Sequence, residues 1–90
     1  MQNLNNMRTP KYLSEKDYLS LYQTIEQMVR EQGFDKEFLS HNGVLHEEAE
    51  WILIQCVDSF VADGNIEHDL GLMQYYDLRR CLTDDLLDLY

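Results

Sequence analysis

The side chains of this 90-residue chain that bear on chemistry are histidines set among acids, two cysteines and one acidic glycine turn. His46 and Glu50 stand four apart, about one helical turn, and Glu67, His68 and Asp69 are contiguous, so imidazole and carboxylate ligands for a metal are conceivable at both places. A metalloprotease helix needs a second histidine four residues after the first, and position 50 is glutamate; solvated histidines on an acidic protein are the preferred reading. Asp63-Gly64-Asn65 with Ile66 matches the middle of a calcium loop, yet the extended pattern puts Val61 and Leu70 where oxygen ligands are required. That turn is read instead as the end of a helix. Cys56 and Cys81 each lie within an apolar helical pattern, without the close spacing of a zinc site or redox pair, and are read as buried thiols. No serine or cysteine sits in a glycine-rich elbow, and carboxylate pairs carry no information in a chain with 17 acids. The chain is therefore expected not to be an enzyme, and no catalytic residue, metal or cofactor is assigned.

The elements that must position these residues are helical. Residues 45 to 64 form the most strongly helical and apolar stretch, with Leu45, Ala49, Ile52, Leu53, Cys56 and Phe60 on one side at core-facing spacing. The opposite side carries Glu47, Glu50, Trp51, Ile54, Asp58 and Val61, more apolar than a plain solvated face requires. Before it, Ser14 three residues ahead of Asp17 caps a helix starting at Glu15. Tyr18, Leu21, Tyr22, Ile25, Met28 and Val29 form its stripe, and Gly33 with Phe34 stops it. Asp35 caps an expected short helix through His41, broken by Asn42-Gly43; a hairpin there is the alternative, disfavoured because the flanks do not alternate. After Asn65 the apolar stripe drifts, with Leu72, Tyr75 and Tyr76 in one direction and Leu78, Leu82, Leu86 and Leu89 in another. A break near Thr83 is expected, with Thr83, Asp84 and Asp85 starting a last short helix. The fold class is all-α, a small bundle of three main helices plus one or two short helices around a single core. Residues 1–13 are read as a flexible N-terminal arm whose end docks through Tyr12 and Leu13, and residues 14–90 as the single helical domain.

Charge narrows the function classes further. The formal net charge is −10, and from Glu37 through Leu78 there are nine acids and no Lys or Arg. Such a field repels nucleic acid and attracts basic surfaces, although an excess of acid also serves solubility. Neither a signal peptide nor an apolar run of membrane-spanning length is visible, so a cytoplasmic protein without membrane contact is expected. Glu47, Glu50 and Asp58 together with Trp51 and Ile54 have the composition of a protein interface, an aromatic anchor ringed by steering charges, and Asp63, Glu67 and Asp69 extend it. For Trp51 itself, packing under the first or last helix is the favoured alternative. Arg80 and Asp84 are spaced as a helical ion pair.

The amphipathic opening helix, the acidic central helix HEEAEWILIQCVDSF, the acidic turn VADGNIEHD and a closing helix resemble, over residues 14 to 89, the all-helical immunity proteins that bacteria make against their own nuclease toxins, of the colicin D immunity kind. The resemblance lies in layout and charge, and no residue role is carried over. It implies an inhibitor that blocks the basic RNA-binding cleft of an RNase or tRNase toxin, with carboxylates standing in for phosphates. Two other readings remain open: a phage-encoded DNA mimic acting on a host nuclease, restriction or CRISPR complex, and a non-catalytic adaptor subunit that docks through Trp51 and Tyr75 or Tyr76.

Overall fold

The structure, a computed structural model, describes residues 7–35, 39–41, 43–63 and 71–88. Its elements are α1 (Glu15–Glu31), a two-stranded hairpin of β1 (Ser40–His41) and β2 (Val44–Leu45), α2 (Glu47–Ala62) and α3 (Leu72–Leu87). The fold is all-α; among the described residues three long helices surround one core, with a minimal hairpin between the first two.

Helix α1 starts where the cap residue demands. Ser14 keeps extended backbone angles, and its hydroxyl accepts the Asp17 amide at 3.1 Å, satisfying a donor that the first turn leaves without a partner. At the other end Gly33 takes φ 81°, which lets the Phe34 amide turn back to the Val29 carbonyl at 3.3 Å. Between these ends Tyr18, Leu21, Tyr22, Ile25 and Val29 are buried. Met28, expected in the same stripe, lies at its edge and is 37% exposed.

The link to α2 corrects one expectation. Ser40 pairs with Leu45 and His41 with Val44 in antiparallel register, and Gly43 adopts φ 78°. A hairpin therefore stands where a helical connection was preferred. The strands are two residues long, too short for an alternating pattern to register in sequence, so the positive-φ glycine was the only local signal. Of the expected short helix, residues 36–38 lie outside the described residues, Leu39 is helical with its amide bonded to the Asp35 carbonyl at 2.8 Å, and Ser40 and His41 are strand.

Helix α2 buries Ala49, Leu53 and Cys56 as its stripe predicts, and also Val57; Ile52 and Phe60 are partly buried against the same core. Leu45 is buried from the hairpin instead of from the helix. Helix α3 corrects a second expectation, because it runs unbroken through Thr83 and Asp84. Its buried stripe is Leu78, Cys81, Leu82, Asp85 and Leu86. The apparent drift arose because a carboxylate fills one core position while Leu72, Met73 and Tyr76 are exposed, so apolarity alone misplaces the face.

Asp85 is fully buried and is held both from α1 and from the segment that precedes it. Its carboxylate accepts the Arg8 amide at 3.0 Å, the Arg8 guanidinium at 2.7 Å and the Tyr18 hydroxyl. Arg8 also pairs with Asp88 at 2.7 Å. Farther along α3 the Tyr12 hydroxyl donates to the Gln74 carbonyl at 2.8 Å, while Pro10 and Leu13 are buried. Residues 7–13 thus lie as a strap along α3, with Tyr12 and Leu13 docked as expected and Arg8 anchored beyond them; residues 1–6 lie outside the described residues. Among the described residues no helix is long and apolar enough to cross a membrane.

Candidate functional site

Helix α2 contains no Lys or Arg and carries Glu47, Glu48 and Glu50 in its first turn, where negative charge complements the positive end of the helix dipole. His46 caps this helix: its Nδ1 accepts the Glu48 amide at 3.1 Å, and its ring tilts against Phe34 at 5.3 Å. Among the described residues no three His, Cys, Asp or Glu side chains converge on a point that could hold a metal ion. Glu67, His68 and Asp69 lie outside the described residues, as do Gly64 and Asn65 of the calcium-like turn. Asp63 is the C-cap of α2, its amide bonded to the Ser59 carbonyl at 2.9 Å.

Both cysteines are buried and unbridged. Burial raises the Cys56 thiol above its ordinary value, and burial followed by the nearby Asp77 carboxylate does the same for Cys81, so neither is poised as a thiolate nucleophile. Cys56 donates to the Met28 thioether at 3.4 Å, at the floor of an open groove of about 420 Å³ between α1 and α2.

The strip singled out in sequence lies along the seam between α2 and α3. Glu50 reaches Arg79 across the seam at 3.5 Å, and Asp58 accepts the Tyr75 hydroxyl at 2.6 Å. That bond, together with partial burial, raises the Tyr75 phenol above its usual value. The Arg79 guanidinium lies 5.6 Å from the Tyr75 ring centroid and 5.4 Å from that of Tyr76, and the two rings meet edge to face at 5.5 Å. Ile54, between Glu50 and Asp58 on the helix, is half-buried at this seam. Glu47 is exposed, and Trp51 is 57% exposed on the solvent margin. The packing of Trp51 under a neighbouring helix is therefore overturned: a position 100° round the helix from Glu50 points past α3, not beneath it.

Sequence reasoning centred this surface on α2, and from α3 it named only Tyr75 or Tyr76, as docking residues of an adaptor. The α3 bank consists of Tyr76, 55% exposed, Leu72, 71% exposed, and Arg79. Leu72 and Tyr76 were grouped with a core-like stripe, and the signal that could have separated them is the cation three residues on, since Arg79 is spaced to cover Tyr76 on a helix. No family model matches the chain, and searches of curated proteins and of solved structures give no significant match.

Proposed function

We propose that the chain is an acidic protein-binding inhibitor that docks on a basic protein, a cognate nuclease toxin of the RNase or tRNase kind being the partner class that the resemblance implies. The observation that carries the reading is the fate of the cations. All four arginines are consumed internally: Arg8 by Asp85 and Asp88, Arg30 by Glu26, Arg79 by Glu50, and Arg80 by Asp77 and Asp84. Lys11 and Lys16 remain exposed on the strap and α1, whereas α2 carries no cation, so the acidic excess behind the net charge of −10 is uninterrupted on that helix. A field of one sign speeds encounter with a basic cleft, and apolar contacts such as Trp51 then slow release. Self-association through the same face is opposed by the charge that attracts the partner.

Mimicry of DNA is less well supported than direct docking, since it calls for carboxylates repeating at phosphate-like intervals. On α2 the row is interrupted where Glu50 and Asp58 turn into bridges with α3. The test is to capture partners of the tagged protein from its native source at low and high salt, then add the purified protein back to the recovered companion in a nuclease assay. The expected result is a basic companion, retained less at high salt, whose nuclease activity falls in proportion to the protein added. A neutral or acidic companion retained equally at both salts would refute the reading and favour an adaptor.

A further inference from the structure

We infer that the seam between α2 and α3 reads arginine on the partner, an inference that rests on the docking reading above and names the chemistry it recognises. The seam already holds one arginine in a defined way. The Arg79 guanidinium lies against the Tyr75 and Tyr76 rings while the Glu50 carboxylate forms an ion pair with it at 3.5 Å. A planar, weakly hydrated guanidinium suits this pairing of aromatic face and carboxylate, and a compact, strongly hydrated ammonium does not. Glu47 and Trp51 repeat the pairing on the outer margin. They stand four residues apart on α2 and so are surface neighbours, both exposed, with no cation of this chain paired to Glu47 among the described residues. A partner guanidinium stacked on the Trp51 indole places its N–H groups within reach of the Glu47 carboxylate. Tyr76, across the Glu50–Arg79 bridge, offers a second partly exposed ring to a neighbouring arginine. Charge complementarity selects a basic partner over a second copy of this chain, and the rings select arginine over lysine.

Trp51 is the only tryptophan of the chain, so its emission reports occupancy directly. The probes are two capped peptides of equal length and charge, one with arginines and one with lysines, titrated at low ionic strength by tryptophan fluorescence and by calorimetry. The arginine peptide is expected to shift the emission and to bind roughly two- to fivefold more tightly than the lysine peptide. Trp51→Leu and Tyr76→Leu, followed by calorimetry with helicity checked by circular dichroism, should each remove most of that preference; Glu47→Gln should weaken the arginine peptide more than the lysine one. Equal binding of the two peptides with unmoved emission would overturn the arginine-reading seam and leave electrostatic docking standing. Binding of neither peptide would overturn both.

Discussion

Replacing Arg8 should cost more stability than neutralising the carboxylate it holds. Asp85 is fully buried, whereas the Arg8 side chain is 42% exposed and keeps a second partner in Asp88. Arg8→Ala therefore strands a buried carboxylate with only the Tyr18 hydroxyl and the residue 8 amide. Breaking a wholly buried pair from one side costs about 3 to 5 kcal/mol, and the half-solvated state of the guanidinium reduces this to about 2 kcal/mol here. Asp85→Asn acts differently. Its carbonyl can still accept from Tyr18 and from the Arg8 amide, and the guanidinium relaxes toward Asp88 and water, so a loss of about 1 kcal/mol is expected. In a domain this small the Arg8→Ala deficit corresponds to a fall in Tm of roughly 8 to 16 °C. Urea unfolding followed by circular dichroism measures both variants, and hydrogen exchange of the α3 amides should rise in Arg8→Ala as the strap loosens. If Asp85→Asn proves as costly as Arg8→Ala or costlier, the reasoning from one-sided burial is wrong.

Two further outcomes follow from local geometry. Tyr12, Tyr18 and Tyr22 all have their phenols raised above the ordinary value of 10.0, burial being the largest cause in each. A folded-state value above the unfolded one means that the folded state holds the proton more tightly. These tyrosines therefore stabilise fully below about pH 10 and lose that contribution as the pH rises further, so the share of tyrosinate absorbance that these three of the six tyrosines contribute should appear together with the loss of helicity. Ionisation of the three well below the unfolding transition would contradict their burial. Gly33→Ala should cost about 1 kcal/mol in urea unfolding, because φ of 81° penalises any Cβ even though nothing lies within 4 Å of where that Cβ would sit. A neutral result would mean that the C-terminus of α1 relaxes out of its left-handed stop.

The main helices were legible because their signals are local. Ser14, the 3.6-residue stripe of α1 and Gly33 specify start, face and stop without reference to the rest of the chain. Of the strap only the docking of Tyr12 and Leu13 was legible; its Arg8 anchor was not, since Arg8 and Asp85 are separated by nearly the whole chain and neither a lone arginine near Pro10 nor an aspartate in a leucine-rich run signals the other. The same missing pair disguised α3. Counting Asp85 as a surface residue tilts the stripe away from its true axis and invites a break at Thr83, whereas counting it as a neutralised core residue restores one continuous helix. A carboxylate enters the core only with its countercharge, so the correct face of α3 depends on a contact that spans the sequence.

The candidate surface divides along the same physical line. The acids of its α2 bank could be placed in advance because they fall opposite the core stripe, whereas the exposure of Trp51 could not, since packing under a neighbouring helix was the favoured reading for it. Its α3 bank could not, because an apolar residue at helical spacing looks identical whether it faces a core or a partner. What distinguishes Tyr76 from Leu78 is that Arg79 reaches across to Glu50 and turns that side of α3 into a seam instead of an interior. The strap and the seam therefore act on one helix from two sides. Arg8 and Tyr12 fix α3 along the flank marked by Asp85, Asp88 and Asp77, and Glu50 and Asp58 fix it along the flank marked by Arg79 and Tyr75. Loosening the strap should consequently weaken the exposed rings as an arginine-binding surface, although residues 7–13 make none of the proposed contacts with the partner. That coupling predicts that Arg8→Ala lowers the arginine peptide's affinity while leaving the lysine peptide's weaker, charge-driven binding nearly unchanged.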